Sequence, residues 1–263
     1  MDFGIEGRVA LVTGASAGLG LAAAEALAAE GARVAIASRS KDNIEKAAAQ
    51  IHARTGRLVD PFVADVGDTA GLADLVARVR AALGPIGILV SNAGGPPAGR
   101  FEELSAATFE QAHRLTFLAT VELCRLALPD MRAAGWGRIV VITSTAARQP
   151  IDGLLLSNSY RAGLTGFLKT LSREYGEHGI TVNSVAPGYT QTERLAHLGD
   201  RVAQEQGKTR EQVYAAWAEA TPLKRLGRPE EIGAAVAWLA SEPAGFITGT
   251  QLVVDGGRMA GLP

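Results

Sequence analysis

The sequence predicts a doubly wound α/β domain, in which helices cover both faces of a parallel sheet. Short runs of β-branched and aliphatic residues alternate along the chain with longer Ala- and Leu-rich amphipathic runs. The short runs are apolar nearly throughout, which is typical of strands buried on both faces. Because such alternation implies parallel strands joined by right-handed helical crossovers, we expect one seven-stranded parallel sheet flanked by helices.

The predicted elements follow one another along nearly the whole chain. Strands are predicted at residues 9–12, 34–37, 58–64, 86–90, 139–142, 180–185 and 251–254. Helices are predicted near residues 18–30, 41–55, 69–83, 105–134, 153–178 and 229–241. No internal repeat or low-complexity linker interrupts this order, so we expect residues 1–263 to form a single domain.

One segment departs from the alternation. Residues 189–226 insert a polar, charged stretch before the last helix, with short helices predicted around 193–205 and 209–220. In open α/β sheets the loops at the carboxyl ends of the strands carry the ligand site. We therefore interpret residues 189–226 as a substrate lid, with a solvated insertion as the alternative.

Composition excludes several classes of protein. The chain has 263 residues, 26 Lys and Arg against 27 Asp and Glu, 47% hydrophobic residues and a single cysteine, Cys124. It is too apolar for a disordered chain and too neutral for a typical nucleic-acid binder. The one cysteine and the scattered histidines lack metal-ligand spacing, and no apolar run approaches the roughly 20 residues of a membrane span. We expect a cytoplasmic protein with no metal and neither a nucleic-acid nor a membrane partner.

A glycine-rich turn directly follows the first predicted strand. Residues 14–20 read GASAGLG and lead into a predicted helix, with the spacing G-x-x-x-G-x-G. Backbone N–H groups at such a helix start, together with the helix dipole, bind phosphate, and glycines let the backbone approach it closely. The turn predicts a dinucleotide site formed by Gly14, Ser16, Gly18, Leu19 and Gly20.

The end of the second predicted strand favours NADP over NAD. An acidic residue at this place binds a ribose 2′-hydroxyl, whereas an arginine accommodates a 2′-phosphate. The sequence here is Ser38-Arg39-Ser40, with no acid. We therefore predict NADP, bound through Ser38 and Arg39, and keep NAD as the alternative because Arg39 also fits an exposed strand end.

Further motifs follow in a fixed order. They are residues 13–20 (TGASAGLG), Asp65-Val66, residues 91–94 (SNAG), Ser144, residues 183–188 (NSVAPG) with Thr190 and Thr192, residues 228–231 (RPEE), residues 247–249 (ITG) and residues 254–257 (VDGG). In this order they resemble the short-chain dehydrogenase/reductase family, and within it the branch similar to 3-oxoacyl-acyl-carrier-protein reductase.

That resemblance implies a Rossmann-like fold, a nicotinamide cofactor, and redox chemistry on a carbonyl or secondary alcohol of a small-molecule substrate. It also implies a homo-oligomer, either a dimer or a tetramer. The implied cofactor contacts are Asp65, Val66, Asn92, Ala93, Gly94, Pro187, Gly188, Thr190 and Thr192.

The catalytic positions depart from the family pattern, which is an Asn-Ser-Tyr-Lys tetrad. Spacing from Ser144 places the tyrosine position at Ser157, 13 residues on, and the lysine position at Arg161. Counting back from residues 128–129 places the asparagine position at Thr116. Only Ser144 is therefore retained, and Arg161 keeps the positive charge that holds the nicotinamide ribose.

An aliphatic hydroxyl is a far weaker acid than a phenol with a pKa of about 10, and arginine does not relay a proton. Two substitutes remain open: Tyr160 from the next helical turn, and water held by Ser144 and Ser157. His113 and Arg148 are further candidates. We therefore predict an oxidoreductase with a non-standard proton donor, and keep as the alternative a nucleotide-binding sensor or partner subunit without redox turnover.

Overall fold

Strands and helices alternate as the hydrophobic pattern predicts. The computed structural model describes residues 2–261. Its strands are β1 (Val9–Thr13), β2 (Arg33–Ser38), β3 (Asp60–Val63), β4 (Ile88–Ser91), β5 (Gly137–Ile142), β6 (Ile180–Pro187) and β7 (Gln251–Val254). Its α-helices are α1 (Gly18–Ala29), α2 (Lys41–Thr55), α3 (Leu72–Leu83), α4 (Ala106–His113), α5 (Ala119–Ala134), α6 (Leu155–Tyr175), α7 (Glu193–Gln206), α8 (Arg210–Glu219) and α9 (Pro229–Leu239).

The strands form one parallel sheet in the order β3-β2-β1-β4-β5-β6-β7. The chain winds outward from β1 in one direction, then returns to β4 and winds in the other. This reversal beside β1 opens a crevice at the carboxyl ends of the strands, where doubly wound folds bind ligands. The predicted doubly wound, seven-stranded fold is thus confirmed.

Two aliphatic cores lie on opposite faces of this sheet. Alternate residues of β1 point to different cores, Val12 to one and Leu11 to the other, as the two-residue period of a strand requires. Helices α1, α2 and α9 cover the first face, and α3, α5 and α6 cover the second. Because both faces are covered, the central strands are buried along their length.

Two predicted elements differ from the structure. The third strand is shorter than predicted, and it is largely exposed because it is the sheet edge. Leu58, predicted inside it, is 80% exposed, and Pro61 is tolerated there because an edge strand leaves one side unpaired. The predicted helix 105–134 is divided by a π-helical turn, Arg114–Leu118, between α4 and α5.

The segment at residues 189–226 contains the two predicted short helices, α7 and α8. Trp217 stacks on Tyr189 at 4.4 Å and on Tyr214 at 5.7 Å between ring centroids. These rings join α8 to the end of β6. Within residues 2–261, every helix is too short or too polar to cross a lipid bilayer.

Candidate active site

The turn between β1 and α1 has the form that a phosphate requires. Gly14 and Gly18 both adopt a φ of +58°, a left-handed conformation that favours glycine. A side chain on Gly20 would collide with the carbonyl oxygen of Gly14. No side chain caps α1 at Ala17, so the first N–H groups of the helix remain available to an anion. The residues present therefore fit a dinucleotide.

The ends of β1 and β4 are tied together beside this turn. Thr13 Oγ1 donates to Asn92 O at 2.8 Å, and Asn92 Nδ2 donates to Gly14 O at 3.0 Å. A Cβ built on Gly94 meets no atom within 4 Å, so its backbone borders open space. These bonds fix the floor of the crevice and leave Gly94 free for close approach by a ligand.

Ser144 stands directly beyond the end of β5. Its Oγ accepts a hydrogen bond from the Ala146 amide at 3.1 Å, at the start of a short 3₁₀ turn. The Ser144 proton is therefore free to be donated to a substrate oxygen. The backbone turn thus orients the residue that the resemblance assigns as the catalytic serine.

Ser157 and Arg161 lie one turn apart on α6, and both are buried. The Arg161 guanidinium donates from Nη1 to the carbonyl oxygen of Ile142 at 2.8 Å. Burial and, secondarily, the nearby charge of Arg194 lower the pKa of Arg161 to about 10. Arg161 is thus still a cation at neutral pH.

Thr116, which spacing predicts at the asparagine position of the tetrad, lies in the π-helical turn. Its side chain is buried, and its Oγ1 has no hydrogen-bond partner in the described part of the chain. Turns of this kind are frequent at functional sites. The 3.6-residue apolar repeat of a helix does not reveal a π-helical turn. Such a turn contains one extra residue, and the repeat continues nearly intact on both sides of it.

One cavity of about 520 Å³ joins these elements. The predicted site residues that line it are Gly14, Gly18, Leu19, Asn92, Ala93, Gly94, Ser144, Ser157, Arg161, Pro187, Gly188, Thr190 and Thr192. Ser38 and Arg39 instead lie at the end of β2, and Asp65 and Val66 follow β3. These four positions are at the same carboxyl edge of the sheet, on the side of β1 opposite β4.

Tyr160 lies outside this cavity. Its hydroxyl donates to the carbonyl oxygen of Phe109 at 3.0 Å, and its ring stacks on His113 at 5.4 Å between centroids. Tyr160 lies three residues beyond Ser157, so its side chain is rotated about 60° around the helix axis from that of Ser157. This rotation directs Tyr160 toward α4. The structure thus gives Tyr160 a packing role beside His113 and separates both residues from Ser144. Arg148 is exposed and donates to Gln251 O at 3.4 Å.

Arg194 is a cavity residue that the sequence prediction missed. Its Nη1 donates to Gly95 O at 3.1 Å and its Nη2 to Pro96 O at 2.8 Å, so α7 is held against the loop after β4. His197 and Arg201 of α7 also line the cavity. The only sequence signal was their place in the segment interpreted as a lid, since charged residues there also fit a solvated surface.

Comparisons with known proteins agree with this geometry. The model of a family described as enoyl-(acyl carrier protein) reductase matches residues 14–258. Nodulation protein G of Azospirillum brasilense is 36% identical over 252 residues, covering 95% of this chain and 97% of that protein. The 2,3-dihydro-2,3-dihydroxybenzoate dehydrogenase of Bacillus subtilis (strain 168) is 35% identical over 263 residues, covering 98% of each.

Among solved structures, L-sorbose reductase of Gluconobacter frateurii, complexed with NADPH and L-sorbose, superposes with a TM-score of 0.94. It is 33% identical to this chain, and the match covers 100% of both chains. Together with the glycine turn and the retained Ser144, these matches identify an enzyme that uses NAD(P) in oxidation and reduction of alcohols and carbonyl compounds. The chain belongs to the short-chain dehydrogenase/reductase family.

Proposed function

We propose that this enzyme transfers a hydride between NADP(H) and the carbonyl or secondary alcohol of a small or acyl substrate, and that ordered water replaces the family's tyrosine as proton donor. The observation that carries the proposal is that Ser144, Ser157 and Arg161 line the same cavity as the glycine turn. A bound reduced nicotinamide supplies the hydride. The side chains described below hold the substrate and the proton.

Ser144 orients the substrate oxygen. Because its Oγ already accepts from the Ala146 amide, the hydroxyl proton points away from that bond and donates to the carbonyl. A fixed donor of this kind stabilises negative charge on the oxygen in the transition state. Ser157 takes the place of the phenol, and the smaller side chain leaves room for water between the two hydroxyls.

Arg161 supplies positive charge without giving up a proton. Its bond to Ile142 O holds the guanidinium at the end of β5, two residues before Ser144. This charge stabilises the developing alkoxide and binds ribose hydroxyls, whereas the proton itself comes from the water at Ser144 and Ser157, and a proton from bulk solvent neutralises the hydroxide that remains. We place cofactor selection at Arg39, supported by its position after β2 and by the NADPH in the L-sorbose reductase structure.

We further propose that residues 189–226 act as the lid of a single domain spanning residues 1–263. The bonds from Arg194 to Gly95 O and Pro96 O support this, because they close α7 onto the crevice. A homo-oligomer and a cytoplasmic location, where metabolism supplies the cofactor, belong to the same proposal. Cell fractionation measures the location directly.

The test compares the purified enzyme with three variants on a panel of ketones, oxo esters and alcohols. Ser144→Ala is expected to lower kcat/KM by about 10²–10³, as for loss of one donor to an oxyanion. Ser159→Ala is the control, because Ser159 is an exposed serine of α6 whose hydroxyl donates to Leu155 O. Ser157→Tyr combined with Arg161→Lys rebuilds the family pair.

If the native protein binds NADPH but turns over no member of the panel, whereas the rebuilt pair creates activity, the proposal is wrong and the chain is a nucleotide-binding protein. If the native protein is active, Tyr160→Phe separates the two donors. Retained activity supports water, and lost activity would assign the proton to Tyr160.

A further inference from the structure

Two arginines of the cavity have no negatively charged partner among the residues that the structure describes. The hydrogen bonds of Arg161 go to Ile142 O, and those of Arg194 to Gly95 O and Pro96 O, all of them neutral carbonyls. Within residues 2–261, no carboxylate raises the pKa of either guanidinium, and Arg194 itself lowers that of Arg161. Two positive charges therefore face one cavity with no negative charge to compensate them. A bound anion would reduce the repulsion between them.

In the other arginine of the cavity, by contrast, carboxylates compensate the positive charge. Arg201 bonds to Glu205 at 2.7 Å and to Glu103 at 3.3 Å. The acidic residue that lines the cavity, Glu193, is the first residue of α7 and is exposed. The lack of compensation is therefore specific to Arg161 and Arg194, which extend from opposite walls, α6 and α7.

Both side chains retain donors for a ligand. A guanidinium presents a planar fork of N–H groups, of which Arg161 uses Nη1 and Arg194 uses Nη1 and Nη2 in the bonds above. Arg194 also remains accessible to solvent on the cavity wall. Arginine is suited to such a place because its fork matches the two oxygens of a carboxylate.

We propose that the substrate is an oxo acid, or the corresponding hydroxy acid, whose carboxylate binds Arg194 while its carbonyl lies at Ser144. This assignment rests on the proposed reductase function and specifies its substrate class. Arg194 recognises the carboxylate from the side of α7, so acid binding also holds α7 against the loop at Gly95.

Two matched pairs of ligands test the assignment on the full chain with NADPH. Hexanoate and hexanamide, which are not reduced, report binding by calorimetry; 3-oxohexanoate and its methyl ester report turnover. We expect hexanoate to bind at least about tenfold more tightly than the amide, the range of a charge-assisted hydrogen bond. Arg194→Gln should remove that preference, Arg194→Lys should restore part of it, and Arg210→Gln on α8 is the control that removes a lid charge outside the cavity.

Each alternative gives a different result. If Arg194→Gln weakens NADPH binding and leaves the acid preference unchanged, the arginine serves the cofactor phosphates and the assignment is overturned. Equal binding of acid and amide, or faster reduction of the ester than of the acid, also overturns it while the reductase function stands. Arg194-dependent hexanoate binding without turnover of any substrate supports the anion site and rejects the reductase.

Discussion

Single side chains determine what this cavity does, and Arg161 is the clearest example. We propose that Arg161 takes the position of the family's lysine, where an arginine retains a positive charge but does not pass on a proton. Its burial lowers the pKa to about 10, which is still far above neutral pH. We therefore propose that charge stabilisation and ribose binding are preserved, and that proton transfer passes through Ser144, Ser157 and water.

Arg39 is expected to select the phosphorylated cofactor. It is exposed directly after β2, so Arg39→Asp removes a cation and adds a carboxylate that bonds a ribose diol. The ratio of kcat/KM for NADPH to that for NADH should fall by about 10- to 100-fold, the value of a charge-assisted bond. Arg57→Asp, at the amino end of β3, is the control, and an unchanged ratio in the Arg39 variant would contradict this assignment.

Gly94 is expected to be required for the cofactor and not for the fold. Since a Cβ there meets no atom within 4 Å, Gly94→Val should leave the thermal unfolding of the cofactor-free protein unchanged. The valine side chain would project into the cavity that Gly94 lines. We therefore expect the Kd for NADPH to rise about tenfold or more, a cost typical of overpacking. A titration followed by NADPH fluorescence measures this Kd. A lower unfolding temperature of the variant would instead show that Gly94 has a structural role.

At the scale of elements, the packing of helix ends and helix pairs supports the site. α1 supplies the N–H groups of the glycine turn, and α9 packs directly against it, with Gly233 facing Ala22. The first turn of α9 is held by a capping box, in which Glu231 accepts from the Arg228 amide at 2.8 Å. Errors in this packing would move the anion-binding end of α1.

Gly233→Ala should destabilise the protein by about 1–3 kcal/mol, the usual cost of overpacking. The added methyl group would lie 2.7 Å from the carbonyl carbon of Ala22, where a helix backbone cannot give way. Urea unfolding measures the change. Gly176→Ala is the matched control, because Gly176 has a right-handed φ of −59° at the end of α6 and open space around its Cβ.

Glu231 is expected to contribute pH-dependent stability. The Arg225 guanidinium first, and the Arg228 amide second, hold the pKa of Glu231 at about 2 against an ordinary 4.5. A lowered folded-state pKa means that the stabilisation is complete above pH 4.5 and is lost as the pH falls toward 2. Glu231→Gln should therefore be less stable than the native chain at pH 7 by about 1 kcal/mol, a typical cap loss, with the difference disappearing on acidification. A difference independent of pH would rule out the ionised carboxylate as its cause.

At the scale of the whole molecule, the sheet reversal beside β1 brings distant parts of the chain into one crevice. The glycine turn, Gly94, Ser144 and the loop after β6 belong to different crossovers, yet all follow carboxyl ends of neighbouring strands. Parallel topology is what places them together. The segment at residues 189–226 then adds Arg194 from α7 to this edge.

We expect the whole chain to assemble into a dimer or tetramer. Phe246 is fully exposed and Leu223 is 62% exposed, and a second copy of the chain could cover such apolar side chains. Light scattering after size-exclusion chromatography should give a mass that is a multiple of 27.3 kDa, and Phe246→Lys should shift it downward. A single 27.3-kDa species at micromolar concentration would contradict this expectation.

The sequence by itself determined the sheet, the crossovers and the phosphate-binding turn, because hydrophobic periodicity and glycine placement act locally along the chain. It also predicted Ser157 and Arg161 from their spacing to Ser144. Only the tertiary structure decided that Tyr160 packs on His113, that a π-helical turn carries Thr116, and that Arg194 shares a cavity with Arg161. Those outcomes depend on contacts between elements that are far apart in the chain. A local sequence pattern does not specify which side chains from distant elements will contact one another.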